Sequence, residues 1–293
     1  MGILLGLLTA LAWGCSDFIA RFSARRIGAL RTTLYMQLTG FLLLTIFLRW
    51  IGGWGHLLDG SGWQPWGWGA LAGVLNGIAT LALYRSFELG KMVVVAPISS
   101  SYPALTMVLS WMSGERLTLL RLAGIAFVLA GILVVVRGEA VAPETETGVS
   151  HAKKAGSGIG WAFLAALGFG FLFWLLGARV VPRVGFASTV WMIRLTSVVL
   201  TAVVILVLRQ PLRLPRQGPV SGWILGMGVL DTGAFVLNNL GMQLEQISIV
   251  SVLASVYSAV TVVLATIFLH ERLSVAQVCG IVSIFAGVAL ISR

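Results

Sequence analysis

The two halves of this chain fall into register when one is slid past the other by 156 residues. Glu115-Arg116-Leu117 lands on Glu271-Arg272-Leu273, and Gly124 and Gly131 land on Gly280 and Gly287. The same step places Gly2-Ile3 on Gly158-Ile159, Ala10-Leu11 on Ala166-Leu167, Gly14 on Gly170, Gly77 on Gly233 and Ser99 on Ser255. One offset from end to end reads as a duplication. Whatever one copy folds into, its twin folds into as well.

Each copy carries five apolar stretches near the length that crosses a ~30 Å hydrocarbon core as a helix. They are expected at 2–20, 32–50, 66–87, 92–112 and 118–136, then at 157–178, 187–208, 219–243, 248–268 and 274–291. The chain is 58% hydrophobic, 10% charged and has a mean hydropathy of +0.97. Soluble domains carry about 25% charged residues, so the chain is read as an all-α integral membrane protein of ten spans. Alternating ten-residue segments of a membrane barrel are not evident. The domains expected are a first five-helix repeat over 1–137, a polar linker over 138–156 and a second repeat over 157–293. Glu139, Glu144, Glu146, His151, Lys153 and Lys154 give that linker its mixed charge.

Five is an odd number, so the second copy enters the membrane inverted relative to the first. A pseudo-twofold axis in the membrane plane then relates the halves, as in many secondary carriers. Exchanging the packings of two such halves turns a cavity open on one side into one open on the other.

The net charge of +10 comes from Lys and Arg scattered at span ends, so no nucleic-acid partner is expected. Odd-numbered connections hold Arg21, Arg25, Arg26, Arg31, Lys91, Lys153, Lys154, Arg209, Arg213, Arg216 and Arg272. Even-numbered ones hold Arg49, Arg116, Arg121, Arg179 and Arg183. The positive-inside rule places the odd connections in the cytoplasm. Met1-Gly2-Ile3 leads straight into a span without a basic leader.

Trp13-Gly14, the stretch Ala96-Pro97-Ile98-Ser99-Ser100-Ser101-Tyr102-Pro103 and the doubled Glu-Arg-Leu resemble the EamA-type drug/metabolite transporter superfamily. The likeness covers nearly the whole chain. It implies ten helices in two inverted repeats, with a central cavity lined mainly by the first, third and fourth helices of each. It also implies carriage of small metabolites such as amino acids, or of drugs, commonly by export across the cell membrane. Relatives usually keep both termini in the cytoplasm, with a basic second connection. Here that connection is rich in Gly and Trp and carries His56 and Asp59.

Candidate residues follow from depth and chemistry. Pro97 and Pro103 remove backbone donors within the fourth span and predict a bend or opening there. Ser99, Ser101 and Tyr102 beside them, with Ser255 and Tyr257 at matching depth in the ninth span, are substrate-binding candidates. Packing serines bonded to their own turn are the competing explanation. Trp13, Tyr84 and Trp174 offer aromatic faces, and Asn76 and Asn238 offer amides. Asp231 lies deepest in the apolar sequence and is a candidate for proton or charge coupling. Asp17, at the expected end of the first span, and Arg194, inside the seventh, are further candidates. Arg194 either pairs with a buried aspartate, meets a substrate carboxylate, or snorkels to the interface. Gly69, Gly73 and Gly77 mark a close helix contact, and the two Glu-Arg pairs read as structural helix starts.

Enzyme chemistry is not expected. His56, His151 and His270 fall in connections, and no HExxH, phosphate-loop or nucleophile-elbow pattern occurs. No cofactor is expected either. The partners are a small-molecule substrate and the lipid bilayer, with the chain as a monomer or homodimer. The reading is a secondary active or facilitative carrier of small amphipathic metabolites. Proton-coupled efflux of lipophilic cations is the alternative, and a lipid-handling protein with a groove open to lipid a third.

Overall fold

The computed structural model describes residues 2–51, 53–113, 118–140, 152–212, 219–244, 250, 253–271 and 273–291. Its elements are helices α1 (Gly2–Ile27), α2 (Ala29–Ile51), α3 (Gln64–Leu89), α4 (Met92–Ser99), α5 (Tyr102–Met112) and α6 (Leu119–Ala140). The second half supplies α7 (Ala152–Leu175), α8 (Val181–Val184), α9 (Phe186–Val207), α10 (Val220–Leu244), α11 (Tyr257–Phe268) and α12 (Val275–Ile291). A wide helical turn, Leu176–Val180, joins α7 to α8 in one span. Among the described residues seven stretches are long and apolar enough to cross a membrane, and three shorter apolar helices complete ten. Helices suit this environment because each satisfies its own backbone donors and acceptors where no water is present. Leu4, Leu11, Phe163, Leu167, Val203 and Leu206 are exposed on the outer faces, where lipid tails meet them.

Packing follows the duplication. Helix α1 lies on α10 and α3 on α7; α2 crosses its counterpart α9, and α6 crosses its counterpart α12. At the last crossing the glycines of the doubled motif meet. A Cβ on Gly131 would lie 2.6 Å from the Gly280 carbonyl, and one on Gly287 would lie 2.5 Å from the Gly124 carbonyl. The expected Gly69-Gly73-Gly77 stripe faces Met192, Thr196 and Leu200 of α9.

Three features depart from the sequence expectation. Helix α1 runs on to Ile27, so Asp17 lies inside the span and is buried rather than at its end. Helix occupies both ends of the expected linker, through Ala140 and from Ala152, while 141–151 fall outside the described residues. The fourth span breaks as Pro97 and Pro103 predict, with Ser100 and Ser101 between α4 and α5. The ninth span turns at Val256, the residue equivalent to Ser100, although it has no proline there. Shared tertiary packing holds that break: Ser100 Oγ is 2.7 Å from Ser258 Oγ across the two halves. Outside the membrane, Asp59 accepts from Ser61 and meets His56 at 2.5 Å; the Ser61 bonds, then His56, hold its carboxyl down to about 2.

A Cβ on Gly73 would sit 2.4 Å from Thr196 Cβ, whereas one on Gly233 meets nothing within 4 Å. Gly73→Ala should therefore lower the melting temperature in detergent, at a cost of roughly 1–3 kcal/mol from overpacking. Gly233→Ala should leave it unchanged or slightly raised. Equal melting temperatures for the two variants would refute the close contact.

Candidate functional site

The broken fourth span, α1, α3, α7, α10 and α11 converge on one cavity. It is lined by Trp13, Asp17, Thr80, Leu83, Tyr84, Tyr102, Phe169, Phe173, Asp231, Phe235 and Tyr257, around about 400 Å³ of empty space that includes its open mouth. Ligand sites are usually apolar with a few placed polar groups, and that is the composition here.

Aromatic rings form most of the wall. Trp13 packs edge-on against Phe173, Phe235 and Tyr257, at centroid distances of 5.8, 5.1 and 6.1 Å. Phe173 stacks on Tyr102 at 4.7 Å and on Phe235 at 6.3 Å. Edge and face contacts of this kind fix the rings against one another. The cavity's shape is therefore set before any ligand enters.

The two carboxylates in this wall are treated differently. Asp231 Oδ2 lies 2.6 Å from Arg194 Nη2. Arg194 is fully buried behind the wall, where Nη1 donates to Gln37 Oε1 at 2.6 Å and the guanidinium sits 5.0 Å over the Phe235 ring. The ion pair thus ties α9 to α10, and the bond to Gln37 adds α2. Asp17 is 4% exposed and has no hydrogen-bond or ion-pair partner among the described residues. It faces the cavity with Tyr84 and Tyr257 nearby, and Asp231 is the other charge it feels.

Of the residues singled out from sequence, the cavity brings together Trp13, Tyr84, Tyr102, Tyr257, Asp17 and Asp231, with Arg194 joined through Asp231. It does not bring in the others. Ser99 and Ser101 donate to Ala96 and Ile98 of their own turns. Asn76 reaches Ser197 on α9 at 3.4 Å, and Asn238 faces Met242. Ser255 is buried outside the lining. Trp174 turns away to donate to Ser113 Oγ at 3.1 Å. Thr80, Leu83, Phe169, Phe173 and Phe235 are the wall residues that sequence reasoning missed. The 156-residue offset was the available signal for two of them, since it places Phe169 on Trp13 and Phe173 on Asp17.

No group of three or more His, Cys, Asp or Glu suited to a metal occurs among the described residues. Nucleophile and base pairs are likewise absent from the wall. The arrangement can hold an apolar body and one positive charge.

Comparison with known proteins bears on what this geometry serves. The model of the EamA-like transporter family matches the chain twice, over residues 1–137 and 156–293. An uncharacterized transporter of Bacillus subtilis (strain 168), YxxF, is 27% identical over 212 residues, 71% of this chain and 64% of that protein. The match thus spans less than two thirds of that relative's length. An uncharacterized protein of Methanocaldococcus jannaschii is 30% identical over 134 residues, 45% of this chain and 93% of its own length. That relative is close to one repeat long. A crystal structure 17% identical in sequence superposes with a TM-score of 0.64 over 99% of this chain and 95% of its own, a likeness of fold.

The repeat-equivalents of Arg194 and Asp231 are Leu38 and Leu75. Arg194→Leu alone should strand a buried carboxylate and destabilise the protein by about 3–5 kcal/mol. Arg194→Leu with Asp231→Leu should recover most of that loss in thermal melts. A double variant no more stable than the single one would show that the two residues do not act as a pair.

Proposed function

Because this chain belongs to the EamA-like transporter family, within the drug/metabolite transporter superfamily, we propose that it carries small amphipathic organic amines. Alternating access around the aromatic cavity is the mechanism. The chain is a multi-pass membrane protein and a transporter; the cell membrane is its proposed location. The repeats are taken as 1–137 and 157–293, joined by 138–156. Their exchange of packings opens the cavity first to one side and then to the other.

The observation that carries the reading is the unpartnered Asp17 in a ring of aromatics. A carboxylate left bare in an apolar site is costly. A cargo ammonium or a proton relieves that cost, so one site serves both in turn. Asp231 does not compete for cargo, because Arg194 has already neutralised it. This moves the coupling role from Asp231, the sequence favourite, to Asp17.

The same inventory ranks the substrates. A zwitterionic amino acid brings a carboxylate as well as an ammonium, and no Arg or Lys lines the cavity among the described residues. Arg194, the guanidinium joined to the wall through Asp231, is spent on Asp231 and Gln37. Tyrosine hydroxyls alone are weak compensation for a buried carboxylate. An amine with an aromatic or branched apolar body leaves nothing unpaired. The lipophilic-cation alternative is therefore preferred to amino acids.

Purified protein in sealed liposomes should take up 2-phenylethylamine and show little uptake of phenylalanine. Asp17→Asn should reduce amine uptake at least about tenfold, as expected when one partner of a buried charge contact is lost. Protonating Asp17 removes the charge the amine needs, so apparent amine affinity should fall as the pH is lowered. Uptake of phenylalanine equal to that of the amine, unaltered in Asp17→Asn, would sink the proposal.

A further inference from the structure

One turn along α1 from Asp17 stands Arg21. An aspartate and an arginine four residues apart on a helix are neighbours on one face and ordinarily pair. Here they do not. Arg21 is 6% exposed and extends instead to Glu271, Nη2 to Oε1 at 2.5 Å. Its Nη1 and Nη2 of Arg25 both donate to the Gly90 carbonyl, at 3.4 and 3.2 Å. Glu271 Oε2 accepts the backbone N–H of Val93 at 3.2 Å, in the first turn of the broken span. The ends of α1 and α3, the start of α4 and the connection before α12 are thereby knotted together. All of these lie at the end of the bundle that carries the odd-numbered, basic connections.

The sequence does not repeat the full set of residues in this knot. Glu271 has its counterpart in Glu115, but the position equivalent to Arg21 is Gly177. The duplication retained the carboxylate in both copies and the arginine in one.

We propose that Asp17 and Glu271 compete for a single guanidinium, that of Arg21. With Glu271, Arg21 closes the basic end and leaves Asp17 bare for cargo. With Asp17, it fills the cargo site and frees Glu271 and the start of α4, so the basic end can part. An ammonium on Asp17 therefore favours closure of that end, and closure favours the ammonium by the same factor. Glu271 is a positioning residue: it touches no cargo and acts by holding Arg21 away from Asp17. This inference rests on the reading of Asp17 as the cation site.

Equilibrium binding of 2-phenylethylamine to the purified full-length chain tests it, with thermal melts confirming that each variant is folded. Glu271→Gln should weaken binding about tenfold, within the range of ordinary coupling between sites. Glu271→Asp should stay near wild type. Adding Arg21→Gln to Glu271→Gln should restore affinity, because the competitor is gone; a merely structural Glu271 would show no such rescue. Should Glu271→Gln fail to fold, Arg21→Gln alone decides, with affinity equal to or tighter than wild type expected. A tenfold loss in Arg21→Gln, or no rescue in the double variant, overturns the competition. No loss in Asp17→Asn overturns the reading of the cavity itself, whereas loss in Asp17→Asn with none in Glu271→Gln overturns this inference alone.

Discussion

Among the described residues three nearly buried carboxylates, Asp17, Asp231 and Glu271, share two buried arginines, Arg194 and Arg21, which can make only two pairs. Arg194 takes Asp231 and Arg21 takes Glu271. Asp17 is left over, and it faces the cavity. Burying charge away from water is tolerated where a partner stands opposite, so the two pairs are part of how the helices are held. The surplus carboxylate has no such structural use. In the proposed function its cost is met when something positive enters, and the imbalance serves as the binding site.

The backbone and the side chains obey different symmetries. Helices pair across the molecule as the duplication requires, α1 on α10 and α3 on α7, with α2 on α9 and α6 on α12 crossing their own counterparts. Equivalent spans break at equivalent residues, near Ser100 and near Val256. Of the buried charges only Glu271 is duplicated, in Glu115; Asp17 answers to Phe173, Asp231 to Leu75, Arg194 to Leu38 and Arg21 to Gly177. A twofold backbone suits two states of similar energy, one open to each side. In the proposed cycle the uneven charges would make those states respond differently to cargo. They also give the cavity one carboxylate face and one phenyl face, matching a molecule with a charged head and an apolar body.

Much of the fold was legible from residues alone. Hydropathy gave the spans, and Pro97 and Pro103 gave the break in the fourth. The matching turn at Val256 was hidden because it depends on packing across the halves rather than on a local breaker. Asp17 was misplaced because Arg21, Arg25 and Arg26 look like a membrane edge. Arg21 is buried instead, with Glu271, 250 residues away, supplying its counter-charge. The Arg194–Asp231 pair joins two helices whose relative rotation no single-sequence pattern fixes. Ser99 and Ser101 read as cavity hydroxyls but satisfy their own broken turn, a choice set by local geometry. Trp13, Tyr84, Tyr102 and Tyr257 converge because each lies in the first, third or fourth span of a repeat or at its break.

The most direct measurement is a structure of the protein with 4-bromophenylethylamine bound, the bromine marking the apolar end by anomalous scattering. The account predicts the ammonium within salt-bridge distance, about 4 Å, of the Asp17 carboxylate. The bromine should then lie among Phe169, Phe173 and Phe235, with Arg194 still on Asp231. An ammonium seated on Asp231, with Arg194 displaced and Asp17 untouched, would contradict it.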